Sequence, residues 1–141
     1  MTSSITIIAA PWATHSAELQ AIRRAVFVVE QQVPESEEWD VNDPLCRHVL
    51  AYVDGQAVGC GRLLPDGHIG RMAVLQPWRA QGVGRALLVE LINIARGTGH
   101  AVVVLHAQTH AMRFYEKLGF AAEGAEFMEA GIPHYVMRRA L

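Results

Sequence analysis

The forty residues from His68 to Ala107, "HIGRMAVLQPWRAQGVGRALLVELINIARGTGHAVVVLHA", restrict the fold more than any other part of the chain. His68–Leu75 is short and apolar in the manner of a strand. Val83, Leu87, Leu91 and Ile94 then recur at helical spacing, and Gly97 and Gly99 supply a stop. Ala101–Ala107 is a β-branched run that reads as a buried strand. A strand, a helix and a buried strand in that order imply a right-handed crossover and a parallel pair within a mixed sheet. Gly82 and Gly84 fall at the strand-to-helix turn, where a sequence selected only for helix formation avoids both.

The flanking segments supply antiparallel partners. "HVLAYV" (His48–Val53), "AVGCGRLL" (Ala57–Leu64) and His68–Leu75 are joined by Asp54-Gly55 and Pro65-Asp66-Gly67, both strong turn signals, and form a meander. Ile5–Ala9 reads as a first strand stopped by Pro11. Thr14 or Ser16 then caps a helix whose stripe of Leu19, Ile22, Val26 and Val29 runs to about Glu30, and Pro34 prevents its continuation. "ESEEWDVND" (Glu35–Asp43) is acidic and poor in aliphatic residues, and reads as a loop. After the crossover, a helix from about Thr109 to Leu118 ends at Gly119, followed by short strands around Phe120–Ala122 and His134–Arg138. The prediction is a single α+β domain over residues 1–141, a mixed sheet flanked by helices.

Composition narrows the function. A chain of 141 residues that is 51% apolar buries a real core. Its formal charge of −2 and pI near 6.4 provide no cationic surface for nucleic acid. Cys46 and Cys60 form no C-x-x-C pair or disulfide framework and read as reduced, small apolar residues. Without a basic leader or an apolar run of membrane-spanning length, the cytoplasm is the expected location and a membrane is not an expected partner.

The amides of a helix's first turn have no intrahelical partners, and the helix dipole favours negative charge beside them. Gly82 and Gly84 remove side chains from the approach path, while Arg79 and Arg85 add cationic donors. A pyrophosphate cradle and a merely tight turn are both consistent with this local spacing. A Walker loop is excluded, because Arg85 and Ala86 follow Gly84 in place of Lys and Ser/Thr; a dinucleotide fingerprint is excluded by Leu87.

Two motifs carry a family resemblance. "RMAVLQPWRAQGVGRALL" resembles the acyl-CoA-binding motif of the GNAT N-acetyltransferases, a strand leading into R/Q-x-x-G-x-G/A, here through Arg79, Gly82 and Gly84. "AMRFYEKLGF" (Ala111–Phe120) is similar to that family's next motif. Within the family, "RRAVFVVEQQVPESEEWDVND" with His48, then "HAQ" and "GIPH", resembles the ElaA/YjcF-like branch.

The resemblance implies a mostly antiparallel central sheet with a splayed parallel pair at an acetyl-CoA site. It implies direct, metal-free acetyl transfer from acetyl-CoA to a primary amine on a small molecule or a protein; a homodimer is compatible with it. Backbone groups of Met72, Ala73 and Val74 would contact the acetyl-pantetheine arm, the Val74 amide facing the oxyanion. Arg79 and the amides of Gln81, Gly82, Val83, Gly84, Arg85 and Ala86 would hold the pyrophosphate. Tyr115 would protonate the leaving thiolate, or it simply packs its helix. Gln108 stands where many relatives have a CoA-contacting asparagine. A non-catalytic acyl-CoA sensor is the second reading.

An amine with a pKa near 10.4 is only about 0.04% neutral at pH 7, so a base or desolvation is needed. Glu30 and Gln31, in "VEQ", are implied to belong to the acceptor pocket, with Glu30 as base or amine-binding carboxylate; an exposed glutamate at a helix end is the alternative. Glu38, Asp40 and Asp43 line an acidic entrance or form a solvated loop, and Trp39 walls the amine or covers the core. His134 is a substrate contact or a turn residue. His68 reads as a turn residue rather than a base. His106 and His110 are not zinc ligands, since Ala107 replaces the required glutamate and His106 falls on a strand.

Overall fold

Asp54 and Gly55, both at positive φ (50° and 77°), close the first hairpin of the meander as the turn signal requires. The structure is a computed structural model describing residues 4–141. Its strands are β1 (Ile5–Ala9), β2 (Arg47–Val53), β3 (Gln56–Leu63), β4 (His68–Val74), β5 (Val102–Gln108), β6 (Ala121–Glu129) and β7 (Ile132–Ala140). They form one sheet in the order β1-β2-β3-β4-β5-β7-β6, antiparallel throughout except for β4 and β5.

The crossover helix, α3 (Val83–Gly97), buries Val83, Leu87, Leu88, Leu91, Ile92 and Ala95 against one face of the sheet. Each of the valine, leucine and isoleucine side chains contributes roughly 1.5–3 kcal/mol of burial. The helix lies close because β3 offers it glycines: a Cβ on Gly61 would come within 2.8 Å of Leu91 Cδ1, and one on Gly59 within 3.0 Å of Leu87 Cδ1. That contact fixes the start of α3 beside the end of β4. The opposite face is covered by α1 (Trp12–Arg23), whose Leu19 and Ile22 pack with Val26 on Leu50, Cys60 and Ala73.

Three segments depart from the sequence reading. α1 starts at Trp12, with Pro11 rather than Thr14 or Ser16 at its cap, and gives way to a π-helical turn over Arg24–Glu30, in which the Gln31 N–H reaches the Val26 carbonyl at 3.0 Å. The tail strands are longer than predicted, a nine-residue pair instead of two short runs, because pairing with β7 overrides the weak strand propensity of "AAEGAE". A short 3₁₀ turn over Thr109–Ala111 precedes α4 (Met112–Glu116) where one continuous helix was expected.

The acidic stretch is neither a simple loop nor wholly solvated. It forms α2 (Glu35–Glu38) and a 3₁₀ turn at Asp43–Leu45, and Glu38 and Asp43 are buried. The reason is Arg23, fully enclosed at the end of α1, which donates to Glu38 Oε2 at 2.7 Å and Asp43 Oδ1 at 2.8 Å. Arg62 bonds Asp43 at 2.8 Å and Asp40 at 2.9 Å, and Arg71 reaches Glu38 at 3.1 Å and Asp40 at 3.3 Å. Three arginines and three carboxylates thus neutralise one another, a condition for burying charge at all. His48 completes the cluster by donating from Nε2 to the Asp43 carbonyl at 2.8 Å, and burial pushes its pKa down.

Candidate active site

The turn before α3 has the form an anion requires. Ala80 and Gly82 both take positive φ, 60° and 89°, so the chain bends sharply into the helix with Gly82 at the N-cap. Among the described residues no side chain caps the helix, and the first intrahelical bond runs from the Ala86 N–H to the Gly82 carbonyl at 3.0 Å. Ala86, expected among the phosphate donors, therefore already uses its amide. The amides of Gly82, Val83, Gly84 and Arg85 precede that first bond and are the ones a ligand can take. Gln81 turns its side chain back to the Pro77 carbonyl at 3.1 Å.

β4 and β5 pair only at His68 with Val104 and Ile69 with Leu105, and then diverge. The divergence coincides with a β-bulge: Arg71 and Met72 together oppose Gly61 on β3, and Arg71 has φ 49°. Beyond it, Leu75 donates its N–H to Val58 on β3 at 2.9 Å, so strand alternation turns the Val74 amide toward the split. Met72, Ala73 and Val74 thus edge a gap that ends at the glycine turn.

A cavity of about 670 Å³ opens on the other side of the split. Met72, Gln108 and Tyr115 line it from the cofactor set, and Gln31 and His134 from the acceptor set. Gln108 donates from Nε2 to Gln31 Oε1 at 2.9 Å and accepts from His110 Nε2 at 2.8 Å, which ties the end of β5 to the π-helical turn. Tyr115 packs edge-on against Phe114 and Phe120, and burial pushes its phenol up to about 12. Its hydroxyl has no hydrogen-bond partner among the described residues.

Strand register assembles the rest of the lining. Gln108 and Phe127 both stand opposite His134, and His106 and His68 share that face. His106 Nδ1 lies 2.9 Å from Glu129 Oε1, and His134, buried, donates from Nδ1 to the Ile132 carbonyl at 2.7 Å. Sequence reasoning weighed His106 only as a zinc ligand and did not reach Glu129 or Phe127, whose positions depend on the pairing of β5, β7 and β6. The alternation inside "VVVLHAQ" carries the usable signal: Val103, Leu105 and Ala107 are buried, which puts His106 on the opposite face.

Two expected acceptor residues lie outside this lining. Glu30 is bound by Arg79, with Nη1 to Oε2 at 2.5 Å and Nη2 to Oε1 at 2.6 Å, and the pairing holds its carboxyl below the usual range. Trp39 stacks over Arg23 and Arg24, with guanidinium carbons 5.1 and 5.3 Å from its ring. Glu38 does line the cavity, but from within the ion cluster rather than at a solvated entrance. Cys60 is buried, which raises its thiol to about 12, and neither it nor Cys46 lines the cavity. Among the described residues no group of side chains is arranged to hold a metal ion, and no helix is long and apolar enough to cross a membrane.

Residues 13–141 match the family model described as an acetyltransferase (GNAT) domain. The chain is 41% identical to YyaT of Bacillus subtilis (strain 168) over 130 residues, 88% of each protein. It is 38% identical to YjcF of the same organism, named as an N-acetyltransferase, over 84% of this chain and 87% of that one. The crystal structure of Escherichia coli ElaA superposes with a TM-score of 0.87 at 28% identity, covering 96% of this chain and 99% of the other. Its fold is the same mostly antiparallel sheet with one parallel pair, flanked by helices.

Proposed function

Because the chain belongs to the GNAT acetyltransferase family, we propose that it transfers the acetyl group of acetyl-CoA directly to a primary amine. The observation that carries this reading is Gly84. Its φ is ordinary, and an added Cβ would meet the Phe114 ring at 3.5 Å and Val74 Cγ2 at 3.8 Å, both ordinary van der Waals contacts. Alanine fits there and is the better helix former, so the protein's own packing gives no reason for glycine. A diphosphate lying against the amides does give one, because its oxygens need the space above the Cα.

Acetyl-CoA supplies an activated thioester, and the remaining work falls to this chain. The amides of Gly82, Val83, Gly84 and Arg85, with the Arg79 guanidinium, hold the diphosphate at the start of α3. Met72, Ala73 and Val74 guide the pantetheine arm through the split, and the Val74 amide receives the negative charge of the tetrahedral intermediate. Tyr115 remains protonated across the physiological range and donates to the departing sulfur. Gln31 and His134 face the acceptor, and Gln108, bonded to Gln31, joins the cofactor side to the acceptor side. Glu30 serves as the resting counter-charge of Arg79, and Trp39 holds Arg23.

Incubating the chain with acetyl-CoA and a panel of diamines, amino sugars and lysine peptides tests this. Release of CoA together with a product heavier by one acetyl group supports it. Tight binding of acetyl-CoA with no product across the panel supports a non-catalytic sensor instead.

A further inference from the structure

The geometry points to His106 as the base that removes the proton from the acceptor amine, positioned by Glu129; this rests on the acetyltransfer reading above. His106 lines the cavity from β5, beside the split. Among the described hydrogen bonds its ring engages one partner only, Glu129, through Nδ1 at 2.9 Å. A carboxylate there accepts Nδ1–H, which leaves the lone pair on Nε2 for a ligand. Phe127 holds the ring edge-on from one side at 5.2 Å, and His68 meets it edge-on at 6.1 Å.

The alternatives are worse placed. The Glu30 carboxylate is taken by Arg79. His134 is buried, its Nδ1 is committed to the Ile132 carbonyl, and its Nε2 faces the same Glu129 carboxylate at 3.7 Å. His68 Nδ1 lies 3.0 Å from the exposed Asp66 without forming a hydrogen bond, so no partner fixes its tautomer as Glu129 fixes that of His106. The charged groups sharing the cavity with His106 are Glu129, Asp66, Glu37 and Glu38, with Arg62 and Arg71, and both arginines are neutralised by Glu38, Asp40 and Asp43. An arriving ammonium thus meets a lining whose cations already have partners.

The ammonium gives one proton to His106 Nε2, and the neutral nitrogen forms the N–C bond to the acetyl carbon. Collapse breaks the C–S bond, the sulfur leaves with the electron pair, and Tyr115 protonates it and is reprotonated from the nitrogen. His106 then releases its proton to solvent.

Two measurements test this. In the ligand-free protein, ¹⁵N spectra of the histidine rings at pH 8.5 should show His106 as the Nδ1–H tautomer, and Glu129→Leu should return it toward the Nε2–H form that free histidine favours. An Nε2–H tautomer in the unaltered chain overturns the assignment. In turnover, His106→Gln should lower kcat at pH 7 by about 10²-fold or more with the acetyl-CoA dissociation constant unchanged. The deficit should shrink as pH rises toward 10, where the amine deprotonates itself. Activity within twofold of the unaltered chain at pH 7, or a deficit that stays constant with pH, overturns His106 as base while leaving acetyl transfer standing. Absence of turnover by the unaltered chain across the amine panel overturns both.

Discussion

Arg79 and Glu30 grip each other through two parallel hydrogen bonds at the mouth of the glycine turn, and Arg79 Nε also donates to the Val74 carbonyl at 2.9 Å. One guanidinium therefore links the π-helical turn, the edge of the split strands and the proposed phosphate site. A diphosphate arriving at the turn competes with the Glu30 carboxylate for it.

Both partners of that pair are 38% exposed, so the contact is worth only about 0.2–1 kcal/mol. Glu30→Gln should accordingly tighten acetyl-CoA binding by up to roughly fivefold in a calorimetric titration, and Arg79→Ala should weaken it. Unchanged affinity in Glu30→Gln together with lost turnover would return Glu30 to the acceptor site.

Gly84→Ala separates folding from binding. Replacing glycine inside a helix should stabilise the chain by about 0.5–1 kcal/mol, read as a higher urea midpoint. The same methyl should weaken acetyl-CoA binding at least tenfold. Gly82 is a poorer probe, because its φ of 89° strains any side chain whether or not a ligand binds.

Tyr115→Phe tests proton delivery to sulfur. Removing the hydroxyl should lower kcat by about 10²-fold with little change in acetyl-CoA affinity. Since burial holds the phenol at about 12, phenol ionisation should cause no loss of rate below about pH 11. A decline near pH 10 traced to Tyr115 would contradict that burial.

The ion cluster sets acid stability. Arg62 holds the Asp40 carboxyl at about 2, below its ordinary 3.8. The unfolded chain binds the proton more readily, so this contribution is full above about pH 4 and is lost as pH falls through about 2, on the order of 2 kcal/mol. Glu38 acts in the opposite sense, since burial raises its pKa and protonation relieves the folded state. Asp40→Asn should lower the urea midpoint at pH 7 and flatten its dependence on pH between 4 and 2.

The meander, the crossover and the glycine turn were legible because each rests on local chemistry: Asp54-Gly55 makes a turn, Leu87 and Leu91 share a helix face, and Gly82 falls where φ turns positive. The acceptor side was not, for reasons that lie in tertiary pairing. "ESEEWDVND" reads as solvated until Arg23 and Arg62, twenty residues before and nineteen after Asp43, are seen to neutralise it. His106 and Glu129 are 23 residues apart and meet only because β7 lies between β5 and β6. The π-helical turn at Arg24–Glu30 leaves no mark in a sequence whose apolar spacing still fits an ordinary helix.

The most direct test of the account is an amide NMR titration of the ¹⁵N-labelled chain with acetyl-CoA. At saturation the largest shifts should fall on the N–H groups of Gly82, Val83, Gly84 and Arg85, and an excess of ADP should compete for the same resonances. Saturable binding that leaves those four amides unmoved, or no binding by the folded chain, would contradict it.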